Sequence, residues 1–426
     1  VPPLPAETFV AALEGLGARA GLIAARFFGE PSSRLTVAGI TGTNGKTTCA
    51  WLLAQALEAA GKPAACMGTL GFGRPAELTP TAHTTPDAIS VHRHLAALAR
   101  LGAECVGMEV SSHALDQGRV TGVRFNTAAF TNLTRDHLDY HGTMEAYGAA
   151  KARLFSFPGL THRVINVDDP FGAALARRPS PAALTVTART AARDALPREA
   201  RFVRAARVTA EPGGLAIAIE SSVGPAELAV RLVGEFNADN ALTVLAVLLA
   251  WDVPLATAVR ALGRCRPASG RMEMFGGRGR TPLAIVDYAH SPDALANALR
   301  AARLHCRGQL RLVFGCGGDR DAGKRPLMGA IAAELADDLV VTDDNPRSED
   351  PARIVADILA GVGARVPLVV EHERALAIRL ALSRSAPDDV VLIAGKGHED
   401  YQIVGSERRP FRDQAVVMEA LQGRYA

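Results

Sequence analysis

Residues 37–48, VAGITGTNGKTT, constrain this chain more than any other stretch. An apolar run enters a loop of Gly, Thr and Asn, and Lys-Thr-Thr then opens the helical pattern CAWLLAQALEAAG. Strand, glycine-rich turn and helix N-terminus in that order make a cradle for phosphate oxygens, because glycines admit backbone N–H groups and the helix end adds partial positive charge. In that frame Gly42, Thr43, Asn44, Gly45 and Thr48 line the cradle, Lys46 reaches the outer phosphates, and the Thr47 hydroxyl is placed to ligand magnesium. The strict GxxxxGK[ST] spacing is not met, since Ile40 stands where its first glycine belongs and glycines fall at 39 and 42 instead. The nucleotide reading therefore rests on the layout of strand, loop and amphipathic helix.

A chain of 426 residues with 48% hydrophobic content has room for two to three domains, each with its own core. Residues 1–34 hold one helical stretch, expected to be a remnant or shortened N-terminal domain. From residue 35 apolar strands (LTVAGI, AACMGTL, CVGMEVSS, AAFTNL, VINVDD) alternate with helical runs, the rhythm of an α/β fold with a mostly parallel sheet. Hairpin-like alternation at 200–235 adds a mixed sub-sheet, followed by the helical run ALTVLAVLLAW. After a Pro/Ser/Gly hinge in RPASGR a second alternation begins: LAIVDYAH, QLRLVFGCGG, LVVTDD, PLVVEHE, VVLIAG. The expected organisation is a P-loop-type ATP-binding central domain over 35–267 and a Rossmann-like, doubly wound C-terminal domain over 268–426, with ligands collecting at the carboxyl ends of the strands.

Balanced charge, 47 basic against 44 acidic residues, and the lack of a basic block argue against a nucleic-acid partner. The longest near-apolar run, 241–251, is too short to span a bilayer, and no signal-like segment opens the sequence, so the expectation is a cytoplasmic monomer. Six scattered cysteines without CxxC pairs suit reduced, core-filling thiols.

Polar residues gather at the expected strand ends. CVGMEVSSH presents Glu109, Ser111 and His113, and AAFTNLTRDHLDYHG presents Asn132, Asp136 and His137, so that Glu109 and His137 are candidate magnesium ligands beside the loop. Lys151 stands alone on a helical face of small residues. In GEFNADN, Asn237 is placed to cap a helix and Asn240 to read a base edge. Arg271 follows the hinge, and Asp287 ends a strand where a carboxylate can hold ribose hydroxyls. GCGGDRD and DDNPR put Arg320 and the run Asp344, Asn345, Pro346, Arg347 on neighbouring strand ends, with Pro346 stiffening the loop so that Arg347 can clamp a carboxylate. In GKGHE, Gly395 and Gly397 flank Lys396, and Glu399 can take its ammonium group.

TGTNGKTT, TTPD, EVSSHALDQGRV, NLTRDHLDYHG, AAK, GEFNADN, GRME, DYAHSPDAL, GCGGDRD, DDNPR and GKGHE, in this order, resemble the Mur ligase family, and within it the MurE branch. The resemblance implies an ATP- and Mg2+-dependent amide ligase that adds the third amino acid to UDP-N-acetylmuramoyl-L-alanyl-D-glutamate through an acyl phosphate. It implies ATP contacts from Gly42 to Thr48 and from Asn240, Arg271 and Asp287, and metal contacts from Thr47, Glu109, His137 and a carbamylated Lys151. It places the sugar-nucleotide substrate against Thr84, Thr85, Ser111, Gln117 and Arg119, and the amino acid against Arg320, Asp344, Asn345, Pro346, Arg347, Gly395 and Glu399. Family members carry a further N-terminal domain that grips the uridine, and no residue of this sequence is assigned to that contact. The Arg347 fork favours meso-diaminopimelate over L-lysine or L-ornithine. A folylpolyglutamate-synthetase-like ligase and a P-loop kinase or switch are the alternatives; neither accounts for DNPR together with GKGHE.

Overall fold

The computed structural model describes residues 15–423 apart from 82, 212, 278 and 364–365. Most of the helical stretch expected near the N-terminus lies within them as the helix Leu16–Phe27, and its beginning lies outside the described residues.

Eleven strands form the first sheet: β1 (Thr36–Thr41), β2 (Ala64–Gly68), β3 (Gly71–Arg74), β4 (Glu77–Thr79), β5 (Cys105–Glu109), β6 (Thr127–Phe130), β7 (His162–Asn166), β8 (Ala183–Ala188), β9 (Arg201–Glu211), β10 (Gly214–Ser221) and β11 (Ala226–Val230). Their order is β11-β10-β9-β8-β7-β6-β1-β5-β2-β3-β4. The strands from β2 to β9 along this order run parallel, and an antiparallel hairpin extends each edge. The central strands β1, β5 and β6 are buried almost throughout, as expected for a sheet covered on both faces.

Register places the chemistry. Ile40 pairs with Glu109 and Thr41 with Phe130, so the loop leaving β1 emerges beside the end of β5 and the start of the 131–137 loop. The helix Lys46–Ala59 that follows buries Cys49, Leu52, Leu53, Ala56 and Leu57. It packs against the helices Phe236–Ala250 and Leu255–Arg264. The helix Phe236–Ala250 is buried nearly all round, which explains its continuous apolar sequence.

The second sheet contains β12 (Glu273–Gly276), β13 (Leu283–Asp287), β14 (Leu310–Phe314), β15 (Asp338–Val341), β16 (Leu368–Val370) and β17 (Val390–Ala394), in the order β12-β13-β17-β14-β15-β16. All pairings but β12–β13 are parallel. Apolar clusters cover both its faces. The loops after β13, β14, β15 and β17 therefore leave from one edge, where Asp287 ends β13 and the later loops carry Arg320, Arg347 and Glu399. A small hairpin, β18 (Tyr401–Val404) and β19 (Glu407–Pro410), lies against this edge through an isolated bridge between Arg347 and Val404.

All six cysteines are free, and all but the half-buried Cys306 are buried. No helix among the described residues is long and apolar enough to cross a membrane.

Candidate active site

The loop after β1 holds its shape through glycines at positions no other residue fits. Gly42 and Gly45 have φ of 149° and 87°, and a Cβ would stand 1.9 Å from the Thr131 hydroxyl at the first and 2.2 Å from Asn240 Oδ1 at the second. The loop is tied to the 131–134 segment after β6: Thr131 donates to the Asn44 carbonyl at 2.6 Å, Asn44 N–H donates to Asn132 Oδ1 at 2.9 Å, and Thr134 N–H donates to the Thr43 hydroxyl at 2.9 Å.

Two lysines converge on this loop. Lys46 donates to the carbonyls of Gly42 and Thr43, both at 2.8 Å, and Lys151 donates to the same Gly42 carbonyl at 2.7 Å. Lys151, 1% exposed, lies over the Tyr147 ring at 4.4 Å, and the carboxylate whose charge reaches it is Asp136. Burial holds its ammonium well below the ordinary lysine range, and the nearby charge of Lys46 pushes in the same direction. Burial also lowers Lys46, against the opposing pull of Glu109 and Asp136.

Glu109 is the acceptor hub. Its Oε2 takes the Thr47 hydroxyl at 2.9 Å and the Thr69 hydroxyl at 3.2 Å, and its Oε1 takes the Thr69 N–H at 2.8 Å. It is 2% exposed, and burial raises its carboxyl while Lys46 opposes the rise. Thr69 passes the contact on to the Thr84 hydroxyl at 3.0 Å. Thr85 donates to the Glu109 carbonyl and accepts the Ser111 N–H. Arg119 holds the Thr85 carbonyl and the Gln117 side chain. A continuous polar path thus runs from the loop to the residues expected for the second substrate.

Between the two sheets lies a cavity of about 380 Å³, lined by Asn44, Gly45 and Asn240 on one side and Arg271, Met272 and Asp287 on the other. Asp287 accepts the N–H groups of Met272 and Ala289, so it braces the chain entering β12. Arg271 lies over the Tyr288 ring at 4.8 Å, and its buried Nε has no partner. Asn237 does not cap its helix. Gly234, with φ of 86°, turns the chain so that the helix starts after Glu235, and Asn237 falls inside the first turn, donating to the Val233 carbonyl and accepting from Asn240.

At the edge of the second sheet Asp344, Asn345 and Glu399 surround the fully buried Lys396. Asn345 donates to Glu399 Oε2 at 2.9 Å. Arg347, with φ of 54°, donates through Nη1 to the Gly318 carbonyl at 2.7 Å. Pro346 is buried behind it, and a Cβ on Gly395 would stand 2.5 Å from Asp344 Oδ2.

Residues 40–248 match the model of the Mur ligase middle domain, and residues 270–397 that of the Mur ligase glutamate ligase domain. A protein of Alkalilimnicola ehrlichii named UDP-N-acetylmuramoyl-L-alanyl-D-glutamate–2,6-diaminopimelate ligase is 52% identical over 96% of this chain and 81% of its own length. The chain belongs to the Mur ligase family. A Pseudomonas aeruginosa Mur ligase of the same name is 48% identical over 96% of this chain and 82% of its own length. A solved structure of a ligase of that name superposes with a TM-score of 0.74 at 35% identity, covering 98% of this chain and 84% of the other. Folylpolyglutamate synthase of Mycobacterium tuberculosis shares the fold alone, with a TM-score of 0.66 at 18% identity over 89% of this chain and 92% of the other.

Set against the Mur ligase motifs, most candidate residues meet in three groups: Lys46, Thr47, Glu109, Lys151, Thr84, Thr85 and Ser111 around the loop, Asn240, Arg271 and Asp287 at the cavity, and Asp344, Asn345, Pro346, Arg347, Gly395 and Glu399 at the second sheet. Two stand apart. His137, with φ of 52°, is exposed, 3.4 Å from Asp136 and edge-on to His113, and Arg320 is exposed at the sheet edge. No group of three or more His, Cys, Asp or Glu among the described residues is gathered closely enough to hold a metal ion. Thr69, which joins Glu109 to Thr84, is a residue of this site that the sequence pattern does not single out; its signal is its place directly after β2, whose Met67 pairs with Met108 just before Glu109.

Proposed function

We propose that this chain is the ATP-dependent ligase that joins meso-diaminopimelate to the D-glutamate of UDP-N-acetylmuramoyl-L-alanyl-D-glutamate, a step in peptidoglycan assembly. The observation that carries the amino-acid assignment is the state of Arg347. Among the described residues no carboxylate forms an ion pair with it: Asp343 holds His372, Asp344 faces Lys396, Glu349 holds Arg325, Asp350 caps the helix Pro351–Val362, and Asp319, whose carboxylate feels the Arg347 charge, is held by Ser348. Among the described residues only Nη1 is engaged, which leaves the rest of the fork to the distal carboxylate that lysine and ornithine lack. The names of the relatives, which carry 2,6-diaminopimelate, support the same choice.

The loop fits a nucleotide on three counts: a glycine cradle that a Cβ would fill, a helix N-terminus behind it, and the unpartnered Arg271 Nε at the adjoining cavity. Magnesium fits the hard oxygen donors of Thr47 and Glu109, with the rest of its shell drawn from phosphate oxygens and water as this ion commonly has it. When bound, ATP supplies the phosphoryl group that turns the D-glutamate carboxylate into an acyl phosphate, and magnesium supplies counter-charge. The chain's residues do the rest by position and charge. Lys46 offsets negative charge at the outer phosphates. Lys151, whose ammonium burial holds well below the ordinary lysine range, gives up its proton more readily than an exposed lysine, and the freed electron pair can attack carbon dioxide; an N–C bond forms, a proton leaves, and the resulting carbamate is a further oxygen donor. Residues 84–85, 111, 117 and 119 orient the dipeptide end, and the second-sheet edge delivers the amine, whose nitrogen bonds to the acyl carbon as phosphate and a proton leave.

The test is phosphate release. It should require both the sugar-nucleotide dipeptide and diaminopimelate, and Arg347→Ala should lower kcat/KM for diaminopimelate at least ~30-fold with ATP use little changed, because losing one partner of a partly buried guanidinium–carboxylate pair costs about 2–5 kcal/mol. A preference for lysine or ornithine would overturn the amino-acid assignment, and release without the sugar nucleotide would overturn the ligase.

A further inference from the structure

Lys396 is the one fully buried lysine of the second sheet's edge, and the reaction as described gives it no task. Its ammonium lies 3.0 Å from Glu399 Oε2, 3.2 Å from Asn345 Oδ1 and 3.7 Å from Asp344 Oδ1, with the Tyr401 ring 5.5 Å away. Two of its N–H bonds are thus spent on Glu399 and Asn345, its charge faces Asp344 at ion-pair distance, and Asn345 Nδ2 closes the network on the same Glu399 oxygen. Glu399 Oε1 takes no hydrogen bond from the described residues. The charges balance in a telling way. Arg374 is paired with Asp413 through two hydrogen bonds, and Lys396 offsets one of the two carboxylates Asp344 and Glu399. Three carboxylates, Asp344, Glu399 and Asp413, thus face two cations, Lys396 and Arg374.

We infer that Lys396 is a specificity-determining positioning residue: it supplies a built-in ammonium that satisfies the acidic pair, so that an amino acid bearing only a distal ammonium group gains little there. A substrate whose distal carbon carries both an ammonium and a carboxylate still fits, with one group on Glu399 Oε1 and the other on Arg347. This rests on the ligase reading above, and it goes further in naming what rejects lysine. Rejection comes from an internal competitor for the acidic groups, in addition to the unmatched Arg347.

Lys396→Gln removes the charge and keeps a hydrogen-bonding side chain, and Lys396→Met removes both. In each, the ratio of kcat/KM for diaminopimelate to kcat/KM for L-lysine should fall about tenfold or more, carried mainly by a lower KM for L-lysine, while KM for ATP stays within about twofold; a gain of one charge pair of 1.4 kcal/mol corresponds to that factor of ten. Lys396→Arg should keep the preference. A merely structural role would lower both amino acids' rates in parallel, so a ratio within about twofold of the parent's in the Gln and Met variants overturns the inference, whether or not their Tm falls. Absence of diaminopimelate-dependent phosphate release in the parent protein would instead overturn the ligase reading.

Discussion

At the scale of single residues, Lys151 shows how burial sets chemistry. Its helix, Met144–Ala152, brings small residues against the loop after β1, leaving the ammonium one hydrogen bond, to the Gly42 carbonyl, with Asp136 opposing the effect of burial only from a distance. The folded state therefore holds the proton less tightly than the unfolded chain, whose lysine titrates near 10.5. With more protons bound in the unfolded state, stability rises with pH between the depressed folded value and 10.5, which means that burial costs stability near neutral pH and the cost fades as the unfolded lysine also deprotonates. Lys151→Met in bicarbonate-free buffer should accordingly raise Tm near neutral pH, with the gap to the parent narrowing as pH approaches 10.5, and should abolish turnover while sparing ATP binding. Thermal unfolding across pH, with calorimetric titration of ATP, checks both halves. A Tm gap that is flat with pH would show that folding does not lower the lysine's proton affinity.

At the scale of elements, the helix Asp413–Gln422 is fastened to the second sheet at its first two residues. Asp413 takes two hydrogen bonds from Arg374, at 2.7 and 2.8 Å, with both side chains fully buried, and Arg374 also donates to the Ala394 carbonyl just before Gly395. Gln414 holds the Gly397 carbonyl at 2.9 Å. The last helix thus fixes the loop that carries Lys396 and Glu399. Arg374→Met strands a buried carboxylate and should destabilise the protein by about 3–5 kcal/mol, whereas Arg374→Met with Asp413→Leu should recover most of that loss, since an apolar pair replaces an ion pair at little cost. Urea midpoints of the two variants decide it, and equal losses would show that the contact to Ala394 matters more than the pair. Such long-range partners are what the sequence hides. The loop at 42–48 and the strand-end groups were legible because glycines and polar residues break apolar runs at the points where ligands collect. ALTVTA, which forms β8, has only two large apolar residues, Leu184 and Val186, among alanines and threonines, and the hairpin of β3 and β4 is built on short half-polar strands. Asn237 misleads because a preferred capping residue sits just inside a helix whose start is set by the positive φ of Gly234. Thr69 and Arg374 act through neighbours far away in sequence, which pattern and propensity do not encode.

At the scale of the whole molecule, the cavity between the sheets joins two bodies with separate cores. The phosphate loop and Asn240 belong to the elements of the first sheet, and Arg271 and Asp287 to those of the second. The chain passes from one to the other at 265–272, where Trp51 and Gln55 both donate to the Arg266 carbonyl and Gly270 packs so closely on Gly397 that a Cβ would stand 2.0 Å from its carbonyl carbon. A nucleotide in this cavity touches both bodies, so its binding energy is shared between them and it stabilises both by mass action. A non-hydrolysable ATP analogue with magnesium should slow amide hydrogen exchange at 42–48 and 237–243 and, in the same titration, at 271–274 and 287–289. Arg271→Ala should weaken the analogue about 10- to 100-fold, since a hydrogen bond to a charged group contributes about 1.5–3 kcal/mol, and at saturation it should lose the protection at 271–274 and 287–289 while keeping that at 42–48. Protection confined to the first body in the parent protein would place the nucleotide on the loop alone and remove Arg271 and Asp287 from its site.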